Sequence, residues 1–167
     1  MVTRTALEEE LRHLAGSVPD PELPVLTLEE LGVLRGVEVL APGRVTVRLT
    51  PTYTGCPAIE AMSMDIERVL LDHGMTEVSV VTVLSPAWST DDISAEGRRK
   101  LTEFGIAPPR PHDAASPAGP VALSLSVRCP HCGSTDTELL SRFSSTACKA
   151  LHRCVTCREP FDHFKEL

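Results

Sequence analysis

Apolar residues recur every three to four positions at Leu7, Leu11 and Leu14, and Thr5 with Glu8 three residues on has the form of a capping box, so the chain is expected to open with a helix. Gly16 and the prolines at 19, 21 and 24 end it. A second box, Thr27 with Glu30, predicts a short helical turn before Gly32. The period then becomes two. Val37, Val39, Val45, Val47 and Leu49 alternate with more polar residues around Ala41-Pro42-Gly43-Arg44, the pattern of a hairpin with one buried face. Pro57 suits a first helical position, and Met62, Ile66, Val69 and Leu70 carry a helical stripe as far as His73-Gly74. Valine-rich residues 77–84 read as a third strand. A last helix, residues 94–104, ends at Gly105 with Ile106 placed for a Schellman contact. This order predicts an α+β fold, a small helix-on-sheet domain over residues 1–106.

Residues 107–120 carry five prolines in fourteen positions, which disfavours both helix and central strand, so they read as a semi-rigid linker. Valine and leucine alternate over residues 121–127, and residues 138–143 make another plausible strand. Four of the six cysteines fall in this last segment as Cys129-Pro130-His131-Cys132 and Cys154-Val155-Thr156-Cys157. Two residues between thiolates let a tight turn aim both sulfurs at one ion, and Gly133 can take the positive φ that such a knuckle requires. Residues 121–167 are too few to bury a self-sufficient core, so metal binding would supply much of their folding free energy. A zinc ribbon is therefore the expected fold of the C-terminal β domain.

Disulfides are the competing reading of the pairs, and they fit poorly with a chain whose start has no apolar signal region. Zinc is favoured, though four thiolates would also hold a single iron, and spacing does not choose between them. With all four ligands from the protein, the site reads as structural and closed to substrate. Cys148 stands outside either pair and is read as a small buried residue or as a second reactive thiol. His131 and His152 lie beside ligands and are read as exposed or hydrogen-bonded bystanders.

Charge narrows the function classes. The 167 residues carry a net charge of −7 and 42% hydrophobic residues, enough for a core and unlike a general binder of nucleic acid or anionic membrane. The charge is uneven: residues 1–120 hold 10 basic and 18 acidic side chains, and residues 121–167 hold 6 and 5. No run of 18 apolar residues occurs, so the chain is expected to be cytoplasmic with no membrane partner.

The remaining cysteine has a distinct setting. Thr52-Tyr53-Thr54-Gly55-Cys56-Pro57 follows a strand and opens a helix, so Cys56 is expected at the helix N-cap, where free amides and the helix dipole would lower its thiol pKa. A small buried residue at a strand–helix junction is an equal reading of the position alone. Asp20-Pro21-Glu22-Leu23-Pro24 places two carboxylates in a proline-locked loop, whose simplest reading is a rigid turn capped by Asp20. No phosphate loop, nucleophile elbow or HExxH motif is present. Trp88 reads as a core anchor or as part of a binding surface.

Taken together, Asp20-Pro21-Glu22-Leu23-Pro24-Val25, Leu31-Gly32, Thr50 to Pro57 and Pro86-Ala87-Trp88 resemble the metal-sulfur cluster assembly domain. The tail, with Ser145-Thr146-Ala147-Cys148-Lys149-Ala150 and Arg158-Glu159-Pro160-Phe161-Asp162 around the second pair, is similar to one subgroup, PaaD, encoded with the phenylacetyl-CoA epoxidase of aerobic phenylacetate breakdown. That resemblance implies a non-catalytic accessory protein acting in iron-sulfur cluster assembly or insertion. Its implied partners are the epoxidase components, especially the iron-sulfur flavin reductase subunit, and the assembly machinery. It makes Cys56 the candidate for transient contact with iron or a cluster, with Asp20, Glu22, Thr54 and Gly55 supporting. It also gives Cys148 more weight, and one ligand per chain is compatible with a cluster shared across a homodimer. A stoichiometric structural or regulatory subunit of the oxygenase is the rival reading.

Overall fold

The computed structural model describes residues 4–111 and 126–166. The chain divides into two compact units, Met1–Gly97 and Arg98–Glu166.

The first unit begins with helix α1 (Arg4–Gly16). Thr5 already lies inside this helix, so the expected Thr5 cap is not formed; the Glu8 carboxylate instead accepts from the Val39 amide at 2.9 Å and from Arg4. The second box is formed as expected. Thr27 caps α2 (Leu28–Leu31), its hydroxyl accepting from the Glu30 amide while the Glu30 carboxylate accepts from the Thr27 amide. Gly32 ends that turn at φ 78°, and a Cβ there would lie 2.3 Å from the Asp92 carbonyl oxygen, so only glycine fits.

Strands β1 (Leu34–Ala41) and β2 (Arg44–Leu49) pair antiparallel across the expected turn. Helix α3 (Ala58–Asp72) then crosses over to β3 (Glu77–Thr82), which runs parallel to β2, giving the order β1-β2-β3. Alternation decides the faces. Val45, Val47 and Leu49 of β2 are fully buried, as are Ile66 and Leu70 of α3, each worth roughly 1.5–3 kcal/mol of burial. The opposite face is charged, with Arg44 paired to Glu77 and Arg48 to Glu38. The loops that leave the carboxyl ends of the parallel pair, after β2 and after β3, carry Cys56 and Trp88. Trp88 takes its core place: it is buried, and its indole N–H donates to the Leu31 carbonyl at 2.9 Å. A single 3-10 turn (Thr90–Asp92) precedes α4 (Ala95–Glu103), whose residues from Arg98 onward belong to the second unit.

In the second unit a four-stranded sheet has the order β4-β7-β6-β5, from β4 (Ile106–Ala107), β5 (Thr137–Ser141), β6 (Lys149–Cys154) and β7 (Pro160–Phe164). Ile106 is thus not only a helix-terminal contact. With Ala107 it forms a buried strand parallel to β7, so the residue expected to close the first domain and the residue expected to open the linker are both hydrogen-bonded into the second unit's sheet. The expected strand over residues 138–143 is β5, which ends earlier, at Ser141. The linker beyond Pro111 and residues 121–125 of the strand expected over 121–127 lie outside the described residues, and Ser126 and Val127, which are described, are not in a strand. No helix among the described residues is long and apolar enough to cross a membrane.

Candidate functional site

The two cysteine pairs converge. The sulfurs of Cys129, Cys132, Cys154 and Cys157 all lie within 4.8 Å of one another, with 3.7 Å between Cys129 and Cys157 and 3.5 Å between Cys132 and Cys154. None of the described cysteines is in a disulfide. Zinc–sulfur bonds of about 2.3 Å in a tetrahedron set sulfurs about 3.8 Å apart, so the quartet fits one tetrahedral ion. When bound, such an ion would cross-link the knuckles and neutralise their thiolates.

The knuckles are built alike. The amide of each leading cysteine donates to the carbonyl five residues on, Cys129 to Ser134 at 2.8 Å and Cys154 to Glu159 at 3.0 Å. The residue after each second cysteine has positive φ, 77° at Gly133 and 64° at Arg158. Glycine was the expected device in the first knuckle. Arg158, which adopts the same turn despite its Cβ, carries no sequence signal for it. Cys129 and Cys154 are buried beside Phe161 and Ala107, whereas Cys132 is exposed and Cys157 partly so. The amide of Cys157, donating to the Cys154 sulfur at 3.5 Å, is the main influence holding that thiol down at about 6. At Cys157 the Glu159 amide pulls the thiol down, but burial and the surrounding sulfurs together outweigh it and push this thiol up to about 12. Four thiols this close cannot all ionise in one another's field unless a cation joins them.

His131 and His152 stay outside the quartet. His152 is buried, stacked on Phe161 with ring centroids 5.7 Å apart, so it is a packed ring and not an exposed bystander. Cys148 is also buried and outside the quartet, its sulfur 3.1 Å from the Thr146 hydroxyl. Beside it Lys149, itself buried, reaches Asp162 at 3.3 Å.

Cys56 is held differently. The helix begins one residue later than expected: Pro57 occupies the N-cap, and Cys56 closes the preceding turn, its amide donating to the Tyr53 carbonyl at 3.2 Å and its carbonyl accepting from Ile59 at 3.3 Å. Thr54 and Gly55 form the exposed tip of the loop, with Gly55 at φ 82°, while Cys56 itself is only 9% exposed. The expected lowering of its thiol pKa is not found. Burial pushes the thiol up; the Ala58 amide and the Tyr53 side chain pull it down, but the charges of Glu22 and Asp20 push the same way as burial. The carboxylate loop is therefore near enough to Cys56 to act on it electrostatically. Asp20 is 3% exposed and not solvated, and its Oδ1 accepts from the amides of Glu22 at 2.9 Å and Leu23 at 2.6 Å. Burial raises its own pKa against those two amides. Tyr53, quoted in the motif but not expected as a support, hydrogen-bonds the thiol.

Residues 114–165 match the family model of the PaaD zinc beta ribbon domain, and residues 5–84 match that of the iron-sulfur cluster assembly proteins. An Escherichia coli (strain K12) protein whose name makes it one of the subunits of 1,2-phenylacetyl-CoA epoxidase is 47% identical over 156 residues, covering 93% of this chain and 91% of that protein. The chain belongs to the PaaD family.

A second relative, named as an Fe-S protein maturation auxiliary factor of Porphyromonas gingivalis (strain ATCC BAA-308 / W83), is 36% identical over 98 residues, 56% of this chain and 90% of that one. A crystal structure of a domain of unknown function, DUF59, from Bacillus anthracis aligns with a TM-score of 0.55 at 27% identity, covering 59% of this chain and 93% of that domain. The PaaD ribbon match includes all four cysteines of the quartet and Cys148, and the cluster-assembly match includes Asp20, Glu22, Thr54, Gly55 and Cys56.

Proposed function

We propose that this member of the PaaD family is a non-catalytic cytoplasmic accessory protein of a phenylacetyl-CoA epoxidase system, acting in the assembly or insertion of iron-sulfur clusters. Cys56 is the contact to iron or to the cluster, which is cargo. Asp20, Glu22 and Tyr53 set the electrostatics of that contact, and Thr54 and Gly55 shape its loop. The quartet holds a structural zinc. The clients are the oxygenase components, first among them the iron-sulfur reductase.

The observation that carries this reading is the setting of Cys56. It lies within the segment that matches cluster assembly proteins, on a loop at the carboxyl end of a parallel strand pair, with two carboxylates near its sulfur. An elevated thiol pKa argues against a free nucleophile and for a thiol that loses its proton to a bound cation. A thiolate is the usual protein ligand of such clusters, and a single one per chain suits exchange better than storage.

The test is Cys56→Ser, co-expressed with the reductase. Iron and acid-labile sulfide per reductase should fall severalfold while the variant's own metal content and fold persist. Undiminished cluster content would remove Cys56 from the mechanism. The relative's name as part of the epoxidase favours a second reading, a permanent structural or regulatory component. Co-purification separates the two: a maturation factor is lost after assembly, and a permanent component stays at fixed ratio.

A further inference from the structure

The loop that bears Cys56 is anchored at its root by a residue of another strand. Strand β1 runs antiparallel to β2 with Leu34 opposite Leu49, which sets Arg35 beside the carboxyl end of β2. Its guanidinium is forked. Nε donates to the Thr50 hydroxyl at 3.0 Å, and one terminal nitrogen donates to the Asp92 carboxylate at 3.1 Å and the Ala87 carbonyl at 3.4 Å. Thr50 is 1% exposed and is the first residue after β2, its amide donating to the Val33 carbonyl at 2.8 Å. Ala87 and Asp92 belong to the segment that follows β3 and holds Trp88.

Asp92 is itself fixed. The same Oδ2 that receives Arg35 accepts from the Ser89 amide at 3.0 Å, closing the cap of the 3-10 turn. The Arg35 side chain is 22% exposed, so its pair with Asp92 is partly desolvated and stronger than a surface ion pair. Lysine cannot reproduce it, because a single ammonium lacks the planar fork that faces two loops at once.

We propose that Arg35 is the positioning residue of the Cys56 site: it clamps the loop after β2 to the loop after β3, so that Cys56 is held in its sheltered position and the Ala87–Asp92 segment belongs to the same site. This deepens, and rests on, the reading of Cys56 as the contact residue. Loosening either end of the clamp frees the root of the Cys56 loop without touching the sulfur.

The test uses the full-length, metal-loaded chain. Alkylation of Cys56 by iodoacetamide is followed by mass spectrometry of its peptide, alongside emission of Trp88, the single tryptophan. Arg35→Lys should speed Cys56 alkylation about tenfold, the response of a local opening to the loss of one charge-assisted hydrogen bond, and shift Trp88 emission to the red. Asp92→Asn should do the same, and the double variant should add little to either, because both act through one clamp. A merely structural Arg35 would lower the thermal midpoint yet leave the Cys56 rate of the folded protein unchanged. An alkylation rate within about twofold of the parent, at unchanged circular dichroism and metal content, would overturn the proposal, as would full additivity in the double variant. The readout is the position of a thiol and not cluster delivery, so it stands even if Cys56→Ser leaves the reductase fully loaded.

Discussion

The same side chain has opposite surroundings in the two units. In the ribbon, four sulfurs are forced to within 4.8 Å of one another by two turns of matching geometry, with an apolar floor of Phe161 and Ala107. In the α+β unit, Cys56 is the one cysteine of residues 4–97, buried, with Asp20 and Glu22 near enough to push its thiol pKa up. The quartet gathers negative charge that only an ion can satisfy, which suits permanence. Burial and the two carboxylates disfavour the Cys56 thiolate, a setting that would suit the exchangeable contact proposed for it. On the proposed function, redundancy of ligands, more than thiol chemistry, separates a structural centre from a delivery site.

The comparison is broken most severely by removing one member of the quartet. Structural zinc supplies on the order of 10 kcal/mol in small ribbons, so Cys154→Ser should abolish metal binding and unfold the second unit. Hydrogen exchange should then be fast across residues 126–166 while residues 4–97 keep their protection. Equal loss of protection in both units would contradict a role of the quartet confined to the fold of the second unit.

A smaller effect is expected at the carboxylate loop. Asp20→Ala leaves the amides of Glu22 and Leu23 without their acceptor and should cost about 1–2 kcal/mol in urea unfolding. Asp20 also sets a pH dependence. Burial raises its folded pKa, so the folded chain holds that proton more tightly than the unfolded chain. Its contribution to stability is greatest below the ordinary carboxylate pKa and declines as pH rises through the raised value. Asp20→Asn should flatten the urea midpoint across that window, and an unaltered slope would count against the burial account.

The least effect lies in the knuckles themselves. Arg158 is strained in a left-handed turn that Gly133 takes freely, so Arg158→Gly should stabilise the metal-loaded ribbon by about 1 kcal/mol and Gly133→Ala should destabilise it by a similar amount. Thermal midpoints moving the same way for both changes would show that the two turns are not equivalent.

What could be read from the sequence followed how local each cause is. The quartet is announced by CxxC spacing because the turn and the ligands are the same residues. The Thr27–Glu30 cap and the hairpin around Pro42-Gly43 are equally local, and both form. The Thr5–Glu8 box fails because Glu8 finds a tertiary donor, the Val39 amide, that no window of sequence reveals. Ile106 reads as the end of a helix-on-sheet domain and Ala107 as the start of a linker until β7, far along the chain, offers them an edge. At Cys56 the helix dipole and the buried reading were both legible, and the resemblance already implied support from Asp20 and Glu22; what no local window gave is that burial and those two charges outweigh the dipole and reverse the direction of the shift. Tyr53 and Arg35 were missed for the same reason: their roles exist only once strands and loops are brought together.

The division between the two kinds of thiol is tested most directly by metal and acid-labile sulfide analysis of the parent chain and Cys56→Ser, both purified without oxygen and then incubated with ferrous iron and sulfide. One zinc per chain is expected in both proteins, with iron and sulfide gained by the parent alone. Equal iron and sulfide on Cys56→Ser, or iron displacing zinc from the quartet as the only uptake, would contradict that division.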